Sequence, residues 1–98
     1  MQVRFRTRQL ERCFNNSSRA VRAWGSIVGP RYVQRVEMLK AAERFEHLYD
    51  IRMLDLHPLR GDRRSQYAIR LTGAVRLILS RDPSHGGVIV EEVTDYHG

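Results

Sequence analysis

From Ile51 onward the apolar residues of this chain change their spacing, from every third or fourth position to every second, and that switch restricts the fold more than any single residue does. Before the switch, Tyr32, Val33, Val36 and Leu39 recur at helical intervals behind Gly29-Pro30, a break whose proline suits the first turn of a helix. Further upstream, Thr7 can cap a helix with Leu10, Cys13 and Phe14 on one face. Asn15-Asn16-Ser17-Ser18 bends or interrupts it, Ala20, Val21 and Trp24 continue the stripe, and Gly25 ends it. Ala41 to Asp50, with Phe45, Leu48 and Tyr49, predicts a short third helix or a continuation of the second.

After the switch, Gln66 to Leu71, Val75 to Ser80 and Val88 to Thr94 read as strands. Thr72-Gly73 and the loop Asp82-Pro83-Ser84-His85-Gly86-Gly87 separate them, so consecutive strands pair antiparallel as a meander. Met1 to Arg6 alternates too, Val3 and Phe5 against Gln2, Arg4 and Arg6. Helices segregated from strands predict an α+β fold: an N-terminal strand, two to three helices on one face of a mainly antiparallel curved sheet, and a C-terminal three-strand meander. The 98 residues suffice for one domain, residues 1–98.

Cys13, the only cysteine, excludes an intramolecular disulfide and reads as a core residue between Leu10 and Phe14. No signal-peptide core and no apolar run approaching about 20 residues is present, so a cytoplasmic protein without membrane contact is expected.

Seventeen basic residues against eleven acidic ones give a net charge of +6, and Lys40 is the only lysine among them. Arginine pairs bidentately with phosphate and stacks on bases, so the excess suits RNA or DNA, although an acidic protein partner or a coding bias fits it as well. Nearly all of it lies in the first 40 residues, from Arg4, Arg6, Arg8 and Arg12 through Arg19, Arg22, Arg31 and Arg35. A basic helical layer that holds a polyanion, with Arg31 and Arg35 among its phosphate contacts, would leave the sheet to do something local.

Two clusters carry groups that move protons or stabilise charge. One is His57-Pro58-Leu59-Arg60-Gly61-Asp62-Arg63-Arg64 and the other is the terminal Asp95-Tyr96-His97-Gly98. Cleaving RNA without a metal needs a base for the 2′-hydroxyl, positive donors on the phosphate, and an acid for the leaving oxygen. His57 and His97 can act as base and acid, Asp95 can orient an imidazole, and Tyr96 can stack on a base or bond the phosphate. Arg60 and Arg76 can neutralise developing charge. Arg76 shares a strand face with Ile78, opposite Val75, Leu77 and Leu79, and on an exposed face it is otherwise an ordinary surface arginine. Arg63 and Arg64 follow the Gly61-Asp62 turn and suit solvent, ion pairs or phosphate rather than proton transfer, and Asp62 suits the turn itself. His47 and His85 receive no role, and no metal or other cofactor is expected, since the histidines lack ligand-type spacing. Nothing resembles a phosphate-binding glycine loop or a serine nucleophile motif.

The run Leu56-His57-Pro58-Leu59-Arg60-Gly61-Asp62-Arg63, followed by Val75-Arg76-Leu77 and Asp95-Tyr96-His97, resembles the HigB-type toxins of the RelE/ParE superfamily, the toxin halves of bacterial toxin-antitoxin pairs. Arg22-Ala23-Trp24-Gly25 adds to that likeness. The resemblance implies a compact sheet with helices against it and a ribosome-dependent endoribonuclease that cuts mRNA in the decoding site of the small ribosomal subunit. It maps His57, Arg60, Arg76, Asp95, Tyr96 and His97 onto the family's active site, and implies a HigA-like helix-turn-helix antitoxin as partner. Val75 stands where many relatives have an aromatic, Arg60 where many have lysine, and Gly98 extends past the usual terminal histidine. Two other functions remain open at this level: a non-enzymatic inhibitor that binds DNA gyrase, as in the ParE branch, and a plain RNA-binding module.

Overall fold

The computed structural model describes residues 1–95. The chain runs through strand β1 (Val3–Phe5), helix α1 (Arg8–Asn15), helix α2 (Ser17–Ala41), two 3-10 segments (Phe45–Asp50 and Arg52–Leu54), β2 (His57–Pro58), a 3-10 turn (Gly61–Arg63), β3 (Gln66–Arg70), β4 (Val75–Arg81) and β5 (Val88–Asp95). The strands form one five-stranded sheet in the order β1-β5-β4-β3-β2. β1 runs parallel to β5 and every other pairing is antiparallel, so the predicted α+β architecture with a C-terminal meander is the one observed.

The helical layer follows from local signals. Thr7 caps α1 by accepting a hydrogen bond from the Leu10 amide at 3.1 Å, and the Asn16 side chain caps α2 through the amides of Ser18 and Arg19. The first predicted helix ends at Gly25 as expected, where a φ of 92° and ψ of 172° kink α2 in a region open only to glycine, but the further break expected at Gly29-Pro30 is absent and the helix runs through both residues. Pro30 lies inside the second arm, five residues after the kink. Gly29 serves packing: a Cβ there would lie 2.8 Å from the backbone of Ala20 and Val21, so the two arms of α2 cross in direct backbone contact. The expected third helix is a 3-10 segment with Phe45 and Leu48 buried.

The second arm lays Tyr32, Val36 and Leu39 on the sheet face formed by Ile69, Leu71, Leu77, Leu79, Val88 and Val90, all of them fully buried. Burial of such side chains contributes on the order of 1.5–3 kcal/mol each. The Tyr32 hydroxyl donates to the Leu10 carbonyl at 2.7 Å and its ring packs on Trp24, which ties α1 and both arms of α2 together. Burial, with a smaller push from Cys13, raises the Tyr32 phenol well above its usual value, so it stays protonated. Cys13 is buried as expected.

Among the described residues no α-helix packs on the opposite face of the sheet. A second, smaller cluster of Leu59, Ala68 and Ile78 covers its centre, because the chain leaving β2 folds back over the strands. Among the described residues no helix is long and apolar enough to cross a membrane.

Candidate phosphate and acid/base site on the open face of the sheet

The register of the strands arranges the open face as rows. His57 pairs with Ala68, Ala68 with Ile78, and Ile78 with Glu92. One pleat away, Arg70 pairs with Arg76 and Arg76 with Thr94. Directly paired residues share a face, so His57, Arg70, Arg76, Glu92 and Thr94 all project from the side that lacks helices. The hairpin that aligns the two arginines is tight. The Leu71 and Thr72 amides both donate to the Val75 carbonyl, and the Thr72 hydroxyl accepts from the amides of Ala74 and Val75.

His57 is half-buried, and its Nδ1 lies 3.0 Å from the backbone oxygen of Asp55. A carbonyl oxygen only accepts, so Nδ1 carries the proton and Nε2 is the basic nitrogen. Asp55 itself has φ 48° and ψ 48°, the only non-glycine residue in the left-handed region among those described. Its carboxylate accepts from Arg70 Nη2 at 3.2 Å. One residue therefore holds both the imidazole and a guanidinium.

The two paired arginines differ in how they are engaged. Arg76 Nη1 donates to the carbonyl oxygens of Thr72 at 2.6 Å, Val75 at 3.2 Å and Gly73 at 3.3 Å, so this guanidinium closes the β3–β4 turn. Arg70 is 50% exposed, and among the described residues it is held through one nitrogen by an equally exposed carboxylate, which engages one donor of its five. Arg70 and Asp55 were invisible as site residues in the sequence, although reflection of the strand pattern about Gly73 does put Arg70 opposite Arg76.

The loop after β2 carries the other candidates. Arg63, expected as a phosphate contact with solvent or an ion pair as its other outcomes, reaches over the sheet to Glu92 Oε2 at 2.8 Å and to Gln66 at 3.2 Å. Arg60 and Arg64 are exposed on either side of the Gly61–Arg63 turn, which also contains Asp62. Glu91, the extra residue at an irregularity between Ile78 and Leu79, accepts from the Ser80 hydroxyl at 2.6 Å and lies 3.6 Å from Arg6. Arginines and carboxylates thus alternate over this face.

Other residues lie elsewhere. Asp95 pairs with Val75, whose side chain belongs to the main core, so the register assigns it to the helix-side face. There it lines a groove of about 250 Å³ with Trp24, Val28 and Val93, away from His57. Tyr96 and His97 lie outside the described residues. Arg31 and Arg35, expected to touch phosphate, brace the end of β3: Arg31 donates to the Leu71 carbonyl at 3.0 Å and Arg35 Nε to that of Arg70 at 3.1 Å. Arg35 is only 6% exposed, and it also pairs with the Gln34 side chain. The edge strand β2 stops short of Arg70, leaving a carbonyl that the buried guanidinium satisfies. His85 stands 3.4 Å from Asp82 in the β4–β5 loop, and His47 is exposed on a 3-10 segment.

Solved structures give the fold a context. One is described as a "YoeB/ParE toxin from Agrobacterium tumefaciens"; it aligns with a TM-score of 0.59 at 14% identity, over 99% of this chain and 100% of that one. The chain has the YoeB/ParE toxin fold. A second, described as a "YoeB-YefM complex from Staphylococcus aureus", aligns with a TM-score of 0.60 at 12% identity, over 100% of this chain and 98% of that one. No protein-family model and no curated protein matches the sequence.

Proposed function

We propose that this protein is the toxin of a toxin-antitoxin pair of the RelE/ParE superfamily and acts as a ribosome-dependent endoribonuclease on mRNA. The observation that carries the reading is the Arg70–Arg76 pair on the face that also presents His57. Like charges directly opposed across a ladder repel, and a phosphodiester between them would relieve that repulsion. The shared fold and the excess of arginine in the helical layer support the same reading.

In this reaction His57 Nε2 takes the 2′-hydroxyl proton, the 2′-oxygen attacks the adjacent phosphorus, and Arg70 stabilises the charge that develops on the phosphoryl oxygens. Arg76 fixes the hairpin that sets Arg70 in place. Protonation of the leaving 5′-oxygen is then left to His97, which the sequence resemblance maps, with Tyr96, onto the family's active site. The exposed Arg60 and Arg64 serve as contacts to the RNA backbone. A HigA-like antitoxin is the expected partner, and the neighbour solved as a YoeB-YefM complex supports a protein partner for this fold.

The deciding experiment is a purified translation system in which mRNA 5′ ends are mapped by primer extension. Wild type creates new ends within translated sequence and His57→Ala does not. A folded wild-type sample that binds ribosomes yet creates no ends defeats the enzyme reading. Growth arrest that persists with both His57 and His97 changed to alanine would favour a gyrase-binding inhibitor.

A further inference from the structure

From the geometry around β2 we infer that Asp55 is the positioning residue of this site, holding the base through its backbone and the phosphate-binding arginine through its side chain. The inference deepens the ribonuclease reading and rests on it. Extending the β2–β3 register by one pleat sets Asp55 opposite Arg70, as His57 is opposite Ala68. The ladder stops there because Asp55 adopts φ 48° and ψ 48°. That conformation is strained for a non-glycine residue, least for Asp and Asn, and such strain persists where the surroundings determine it. Here both polar ends of the residue are engaged: the carbonyl oxygen accepts from His57 Nδ1 and the carboxylate accepts from Arg70 Nη2. An extended residue at this point would continue the ladder, and its carbonyl would not turn toward its neighbour's ring.

The two contacts do separate work. The carbonyl selects the tautomer in which Nε2 is the proton acceptor. The carboxylate occupies one nitrogen of Arg70 and so restrains the guanidinium, with the other donors of the fork left for a phosphate. The pair is half-exposed on both sides, so it is weak as a stabilising interaction and its value lies in orientation. Fixing a group that acts on the transition state is worth far more in rate than in stability, since a misplacement of about 1 Å costs on the order of a hundredfold.

The test is a double-mutant cycle of Asp55→Asn and Arg70→Gln, read as cleavage kinetics on programmed ribosomes, with melting and short single-stranded RNA binding measured in parallel. Asn tolerates the left-handed backbone and keeps the carbonyl, so only the charge on Arg70's partner is lost. The expected result is a fall in kcat of about tenfold to a hundredfold with little change in KM or melting temperature. The double variant should be no worse than Arg70→Gln alone, and ¹⁵N shifts of the His57 ring should show the Nδ1–H tautomer in wild type and in Asp55→Asn. Should Asp55→Asn melt early, Asp55→Gly, which adopts the same backbone without strain, replaces it in the cycle. Full activity in both variants, strictly additive effects with Arg70→Gln, or an Nε2–H tautomer in wild type would overturn the inference. If wild type cuts no mRNA, the ribonuclease reading falls, and the same cycle measured by RNA binding still decides whether Asp55 acts through Arg70.

Discussion

Arg70 and Arg76 stand directly opposite each other in the β3–β4 ladder, two guanidinium-bearing residues on the face of the sheet away from the helices. Their β-carbons are therefore about 5 Å apart, a separation at which like charges oppose pairing. The fold tolerates the pair by giving each arginine different acceptors, turn carbonyls for Arg76 and the Asp55 carboxylate for Arg70. The division of labour makes their roles experimentally separable.

Arg76→Gln should lower stability, because it removes a charged donor from three carbonyl oxygens of one turn, at about 1–3 kcal/mol. Arg70→Gln should change stability by no more than about 1 kcal/mol while reducing mRNA cleavage at temperatures where both proteins are folded. Thermal melts paired with primer extension measure this. Equal melting of the two variants would show that the turn does not depend on Arg76.

Arg63 is held by Glu92 across the face where RNA is proposed to lie. Removing the carboxylate's charge in Glu92→Gln leaves the guanidinium for phosphate, so binding of short single-stranded RNA should tighten several-fold and its salt dependence steepen by about one phosphate contact. Arg63→Gln should not weaken RNA binding in wild type as much as it does in the Glu92→Gln background. Filter binding across a salt series would reveal it, and unchanged salt slopes would mean that Arg63 stays clear of the RNA.

The β4–β5 loop predicts a response to acid. Burial acts to raise the Asp82 carboxyl, but the amides of His85 and Ser84 and the His85 ring together outweigh it and hold the group below its ordinary value. A depressed carboxylate contributes stability that is complete above its unfolded pKa, near 4, and is lost as pH falls through the lower folded value. The Ser84 and His85 amides should therefore lose exchange protection in that acid window in wild type. In Asp82→Asn that step should be missing, and protection that holds through the window in wild type would rule the account out.

The meander, the N-terminal strand, the Thr7 cap and the burial of Cys13 were legible because each depends on neighbours within a few residues or on strict alternation. The break at Gly25 was legible as well, but not that Gly29 serves a close approach rather than a second break. Only the crossing at Ala20 shows that Gly29 is needed for contact and Gly25 for its backbone angles. In the site, His57 and Arg76 were readable as candidates, but partner assignments depend on register. Register makes Arg31 and Arg35 braces of β3, turns Asp95 toward the helices, and brings Arg70 and Asp55 into the row.

Gly29 links that helical crossing to the site. An alanine Cβ there would meet the carbonyl carbon of Ala20 and the amide nitrogen of Val21 at 2.8 Å, and backbone on both sides leaves no side chain to move aside. Overpacking of this kind costs about 1–3 kcal/mol, so Gly29→Ala should melt several degrees below wild type. Arg31 and Arg35 lie on the same arm and hold the carbonyls of Leu71 and Arg70, so displacement of the arm should reach the end of β3. Amide NMR shifts at Arg70 and Leu71 should move in Gly29→Ala at temperatures well below melting. A variant that melts like wild type would mean the arms can separate at no cost, and unmoved β3 signals in a destabilised variant would mean that the braces adjust independently of the crossing.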